Sequence, residues 1–167
     1  MKETKHLPLY GAGPAYVVTI TILTLVGLFL HYNGNIKGPE LSLLSTVALR
    51  IASILLIISG IVIWCSSVIH SRIQKNILEN HLVTTGMYGI VRHPIYSAFT
   101  LLEWGLLLWT GNVWLFILIP VYWIYFTLLM KHTEEKWLIE KFGDEYREYS
   151  RRVNRCIPWF PRKTSKD

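Results

Sequence analysis

Two short stretches carry side chains able to bind a charged ligand and steer a reaction: Arg92-His93-Pro94-Ile95-Tyr96 and Glu134-Glu135. In the first, Pro94 fits the opening turn of a helix, where its missing N–H costs nothing. The free N–H groups and dipole of such a turn favour an anion such as a carboxylate. Tyr96 follows His93 by one turn, and Thr100 and Glu103 continue the same face. A plainer reading makes this stretch an interfacial anchor, with Arg and His at lipid headgroups and Tyr in the aromatic belt. For Glu134-Glu135 the plainer reading is a solvated helix start, with Lys131 and Glu135 paired four residues apart. Glu103 differs in kind. It is an ionisable group inside an apolar helix, where a charge is expensive and calls for a function or a polar partner. Arg50 is the intramembrane partner that the sequence offers.

These residues belong to a chain of 167 residues that is 51% hydrophobic, with seven Trp and nine Tyr. A soluble core of this size cannot hide runs such as Ile51–Trp64 and Val113–Met130. The chain therefore reads as all-α, a polytopic membrane protein forming a single membrane domain over 1–167. About four transmembrane helices are expected, at 14–31, 41–69, 95–109 and 113–130, followed by a cytoplasmic C-terminal helix. The first run follows a polar dozen residues without a small-residue cleavage pattern, which marks a retained span. The second is longer than a bilayer requires, so it tilts or begins at the interface, and Arg50 within it could snorkel. Thr110-Gly111-Asn112 is a tight turn that makes spans three and four a hairpin. Beyond Lys131, residues Leu138, Phe142, Tyr146, Tyr149 and Val153 mark one helical face, interrupted at Gly143. Pro158-Trp159-Phe160-Pro161 then reads as an apolar plug for the membrane interface.

The formal net charge is +6, and ten of the 17 Lys and Arg lie from Lys131 onward. Basic residues massed directly after an apolar run follow the positive-inside rule and contact anionic lipid headgroups. A nucleic-acid-binding chain would spread them over a soluble surface instead. Lys and Arg number two before the first span, one in the first loop, three in the middle segment and none in the Thr110–Asn112 turn. Both termini are accordingly expected in the cytoplasm, where the middle segment and the basic tail meet. Cys65 and Cys156 lack redox or metal spacing, and the six His are scattered, so no metal site is read.

Leu82-Val83-Thr84-Thr85-Gly86-Met87-Tyr88 precedes Arg92-His93-Pro94 by a short spacer. Glu134-Glu135 is followed by Leu138, Phe142-Gly143-Asp144-Glu145-Tyr146, Tyr149, Val153 and Ile157-Pro158. In this order, with a hairpin between its halves, the set resembles the isoprenylcysteine carboxyl methyltransferase family and its membrane relatives, including phospholipid N-methyltransferases. The resemblance covers about Asn80–Pro161 and leaves the first two spans out. It implies S-adenosyl-L-methionine as cofactor, held by Asn80, His81, Leu82, Val83, Tyr88, His93, Pro94, Ile95, Tyr96 and Glu134, within segments 80–96 and 131–161. The ammonium and carboxylate of its methionyl end would suit Glu134 and His93, with Leu82, Val83 and Tyr88 as a wall for the adenosine.

The resemblance further implies methyl transfer to a lipid-like or prenylated acceptor entering from the bilayer, at a carboxyl oxygen or an amine nitrogen. Arg92, Glu103 and Glu135 would then take catalytic roles. A carboxylate nucleophile needs no base, whereas an amine must lose a proton, and Glu103 is the candidate base, lining an acceptor pocket between spans three and four. Two departures stand out. Ala98 occupies a position where the family often has Gly, a mild change. Met130, with Lys131 beside it, stands where carboxyl methyltransferases carry Arg, which counts against prenylcysteine as substrate. The competing readings are an NADPH-dependent sterol-reductase-like enzyme, which typically shows Arg-Asp in place of Glu134-Glu135, and a non-catalytic membrane subunit.

Overall fold

The computed structural model describes residues 11–70 and 81–160. Among them are six α-helices: α1 (Gly13–Tyr32), α2 (Leu43–His70), α3 (Pro94–Trp109), α4 (Leu118–His132), α5 (Glu134–Phe142) and α6 (Asp144–Arg152). Two 3-10 turns join them, Gly86–Gly89 before α3 and Val113–Ile117 leading into α4. Local sequence sets the ends. Prolines open α1 and α3, the Ser45 N–H donates to Ser42 Oγ at 3.2 Å ahead of α2, and Gly143 at φ +56° separates α5 from α6. The C-terminal helix foreseen from the sequence is therefore two helices, hinged at the glycine that interrupts its pattern.

Three stretches are long and apolar enough to cross a membrane: Gly13–Tyr32, Leu43–Val68 and Val113–Phe142. The protein is thus multi-pass. The crossing part of the third is Val113–Met130, which carries no Asp, Glu, Lys or Arg. The expected third span, α3, has 16 residues, about 24 Å of helix against the roughly 30 Å of a hydrocarbon core. It is short because charged and polar residues flank it closely, and it is held inside the bundle by its neighbours.

The bundle is inverted in polarity relative to a soluble one. Val18, Ile22, Leu25 and Phe29 on α1, and Ile51, Leu55, Ile58 and Val62 on α2, are exposed. Tyr16, Thr24, Ser53, Thr100 and Glu103 are buried. Hydrocarbon solvates the apolar faces, so association rests on close packing and on interior hydrogen bonds. The α2–α3 contact shows both. An added Cβ would stand 2.8 Å from the Ala98 carbonyl at Gly60 and 3.0 Å from the Ser53 carbonyl at Gly105, while Ser53 Oγ donates to the Gly105 carbonyl at 2.7 Å. On its other side α3 meets α1, which runs parallel to it, through Tyr16–Thr100 and Thr21–Glu103. Both helices begin at one end of the molecule, and there the site forms.

Candidate cofactor and transfer site

His93 is buried at the head of α3, between two carboxylates. Its Nδ1 lies 3.4 Å from Glu134 Oε2 and its Nε2 lies 3.5 Å from Glu135 Oε1. The break between α4 and α5 at Thr133 makes this possible, because it turns the adjacent Glu134 and Glu135 to opposite sides of one imidazole. Burial lowers the basicity of the ring, but the two carboxylates outweigh it and the His93 pKa rises.

Glu134 Oε1 also accepts from the Tyr96 hydroxyl at 2.8 Å and from the Ala12 backbone N–H at 3.0 Å. The His93 and Tyr96 rings stack at 6.0 Å, as expected for residues one turn apart. Glu135 takes a fork from Arg155, Nε to Oε1 at 2.7 Å and Nη2 to Oε2 at 2.8 Å, and a third contact from Arg92 Nη1 at 3.1 Å. Its own desolvation raises the pKa, but His93, Arg155 and Arg92 together bring it down to about 2. The anticipated pairing of Glu135 with Lys131 is replaced by these arginines, and Lys131 is exposed.

The tail locks this arrangement. Asn154 pairs with Val91 in a parallel bridge, its carbonyl accepting the Arg92 N–H at 2.8 Å. Tyr146, Tyr149 and Val153 form a small core with Leu82, Leu138, Ile139 and Phe142, the stripe legible in the sequence. Tyr149 donates to the Tyr88 carbonyl at 2.6 Å, and Arg92 Nη1 to the Tyr146 oxygen at 3.5 Å. Leu82, Val83, Tyr88 and Ile95 are half-buried around the site, Pro94 is buried and His81 is exposed. Asn80 lies outside the described residues.

Glu103 is buried two turns below Tyr96 on the same face, with Thr100 between them. Its partner is not Arg50, whose guanidinium stacks 5.4 Å over the Trp109 ring. Thr21 of α1 donates to Glu103 Oε1 at 2.8 Å instead. Around it, the hydroxyls of Tyr16 and Thr100 bond at 2.7 Å, and those of Thr24 and Tyr122 at 3.0 Å. The polar lining of the interior thus comes from α1 as well as from the expected hairpin.

Sequence reasoning missed Arg155, which it assigned to lipid headgroups, and the whole of α1. Gly11-Ala12-Gly13 fits against the site so closely that an added Cβ would collide with the Glu134 carboxylate at Gly11 and with the Tyr96 ring at Gly13. Glycine flanking a helix start was the available signal. It became informative only once the facing residues were known.

The residues fit a zwitterionic ligand. Two buried polar atoms beside the carboxylates, Arg92 Nε and Ser97 Oγ, have no hydrogen-bond partner, while His93 Nε2 faces Glu135 Oε1 at 3.5 Å. Such atoms carry a desolvation cost that a ligand carboxylate would relieve. Glu134 Oε2, which among the described residues faces only His93, retains a lone pair for an ammonium.

Comparison with known proteins gives the family. The family model for phospholipid methyltransferases matches residues 48–145, more than half of the chain. The chain belongs to the phospholipid methyltransferase family. Relatives of this family member include methanethiol S-methyltransferase 1 of Bradyrhizobium diazoefficiens, 38% identical over 92 residues, 49% of this chain and 31% of that protein. Protein-S-isoprenylcysteine O-methyltransferase of Schizosaccharomyces pombe is 36% identical over 93 residues, 55% of this chain and 39% of its own. The Saccharomyces cerevisiae protein of the same name is 39% identical over 84 residues, 48% of this chain and 34% of its own. The matches therefore span between three-tenths and two-fifths of these relatives. No solved structure matches the chain.

Proposed function

We propose that this protein is an S-adenosylmethionine-dependent methyltransferase acting on a lipophilic acceptor that enters from the bilayer. The observation that carries the reading is the buried imidazole of His93 between Glu134 and Glu135, with Arg92 Nε and Ser97 Oγ unpartnered beside it. Membership of a methyltransferase family supports it, and with it disfavours the reductase and scaffold alternatives. Bound there, the cofactor would supply a methyl group made electrophilic by its sulfonium sulfur.

In this reading Glu134 and Tyr96 hold the ammonium, and His93 and Arg92 the carboxylate. Leu82, Val83 and Tyr88, with Pro94 and Ile95, wall the adenosine, and the segments 80–96 and 131–161 make up the binding region. Glu135 acts as an anchor, since both of its oxygens are committed to Arg155 and Arg92. It orients His93 and Arg92, and touches no reacting atom. Glu103 faces the acceptor and removes its proton where the nucleophile carries one. Met130 is buried where a carboxylate-binding Arg would stand, so a prenylcysteine carboxyl is the least fitting acceptor. The site faces the cytoplasm with both termini, following the Lys and Arg distribution.

The test is calorimetric titration of detergent-purified protein with S-adenosylmethionine and S-adenosylhomocysteine, with NADPH as control. Binding of both adenosyl compounds, lost in His93→Ala and Glu134→Gln, is the expected result. Binding of NADPH alone would hand the site to the reductase reading, and binding of none to the scaffold reading.

A further inference from the structure

Arg50 takes no part in the site described. Among the described residues its guanidinium has no carboxylate in ion-pair reach, only the Trp109 ring. It lines a cavity of about 200 Å³ at the far end of the bundle, with His31 at the end of α1, Thr46 on α2, Trp109 closing α3 and Asn112 in the following turn. No Asp or Glu is among the lining residues. Most of the polar groups there are already engaged. Thr46 donates to the Ser42 carbonyl at 3.1 Å and Thr110 to the Leu107 carbonyl at 2.7 Å. Asn112 accepts from the Trp114 N–H and donates to the Ile36 carbonyl and to His31 Nδ1. With Nδ1 accepting, the proton of a neutral His31 ring sits on Nε2. The side-chain N–H donors of the cavity left free by these bonds include those of Arg50 and His31.

We infer that this cavity binds the phosphate of a membrane phospholipid, in the leaflet opposite the His93 site. Position supports this. α1 and α3 both begin at Glu134 and end here, and the 20 residues of α1 span about 30 Å, the thickness of a hydrocarbon core. Exposed Tyr32, Trp109 and Trp114 mark the interface at this end. Leu43, Leu44, Val47 and Ile51, exposed on α2 around Arg50, supply the surface for acyl chains. A guanidinium with no carboxylate partner among the described residues, set at headgroup depth, matches a phosphate in charge and in fork geometry. A headgroup here is a full bilayer away from Glu134, so it is not the methyl acceptor. It fastens the α1–α2 connection to the α3–α4 turn. The inference stands apart from the methyl-transfer reading.

The full chain, delipidated in mild detergent, is incubated in turn with phosphatidylglycerol, phosphatidylcholine, diacylglycerol and inorganic phosphate, and retained adducts are weighed by native mass spectrometry. One retained phospholipid of either headgroup, no retained diacylglycerol and no displacement by inorganic phosphate is the expected pattern. Arg50→Gln lowers retention roughly tenfold, the loss of one charge-assisted contact. Arg50→Lys keeps part of it, and Lys37→Gln, outside the cavity, keeps all. Equal retention of diacylglycerol would overturn the inference without need of any variant. So would unchanged retention in Arg50→Gln, or displacement of the lipid by free phosphate, which would mark a soluble-anion site.

Discussion

Glu135 and Glu103 are both buried carboxylates, and they are satisfied in opposite ways. Glu135, just beyond the membrane-crossing residues, is surrounded by Arg92, Arg155 and His93. Glu103, within the spans, receives a single hydroxyl donor from Thr21 and faces no cation among the described residues. The first site uses charge to join parts of the chain that are far apart: the amino end through Ala12, the head of α3, α5 and the tail. The second uses hydroxyls of α1, α3 and α4, which cost less to bury than ions do. The comparison separates a charge cluster, where both partners are fixed, from a carboxylate tied by a single hydroxyl.

The sharpest way to break this contrast is Glu135→Ala. It strands Arg92 and Arg155 without their common partner, and breaking a buried ion pair costs about 3–5 kcal/mol. Unfolding in detergent should register most of that loss, with Glu135→Gln less affected because the amide oxygen still accepts. A loss below about 1 kcal/mol would show the arginines to be solvated in place. Next in size is Gly13→Ala, whose new methyl meets the Tyr96 ring. Overpacking of this kind costs about 1–3 kcal/mol. Because Tyr96 donates to Glu134, affinity for S-adenosylhomocysteine should fall in parallel. Loss of stability with unchanged affinity would detach α1 from the site.

A pH titration of stability tests the charged side alone. The Glu135 pKa is depressed to about 2 from an ordinary value of 4.5, so its contribution is complete above 4.5 and is lost as pH falls toward 2. The His93 pKa is raised from 6.5, so its contribution is complete below 6.5 and is lost as pH climbs through the folded value. The groups facing this imidazole are Glu134, Glu135, Tyr96 and Arg92. The thermal midpoint should therefore be highest between about pH 4.5 and 6.5, with a descending alkaline limb that His93→Gln removes. An alkaline limb that persists in His93→Gln would assign it to another group.

How much of this was legible follows the same division. His93, Tyr96, Glu134 and Glu135 are found from the sequence because the features are local, a proline-opened turn and an acidic pair after an apolar run. The break at Gly143 and the Tyr146–Tyr149–Val153 face are likewise local patterns. Arg155 and Ala12 were not found, since their partners lie 20 and 122 residues away and no periodicity links them. The Arg50–Glu103 pair, one of two readings that the sequence offered, does not form, for a geometric reason. α3 turns Ala98, Leu102 and Gly105 toward α2, and Glu103 toward α1, so complementary charge in two neighbouring spans was no guide to contact. The spans themselves were readable from hydropathy, 95–109 among them, although the 16 residues of α3 are fewer than a bilayer requires.

Glu103→Gln gives the smallest expected effect on the fold and the clearest one on chemistry. The amide is isosteric and its oxygen still accepts from Thr21, so stability should change by less than about 1 kcal/mol. Affinity for S-adenosylhomocysteine should also hold, since Glu103 makes no hydrogen bond to His93, Tyr96 or Glu134. Turnover of an acceptor whose nucleophile carries a proton should fall steeply, because an amide cannot take that proton. A carboxylate acceptor, needing no base, should be spared. Full turnover of a protonated acceptor by Glu103→Gln would remove Glu103 from the reaction and leave it as a polar tie between α1 and α3. A loss of cofactor affinity instead would mean that the two carboxylate regions are mechanically one.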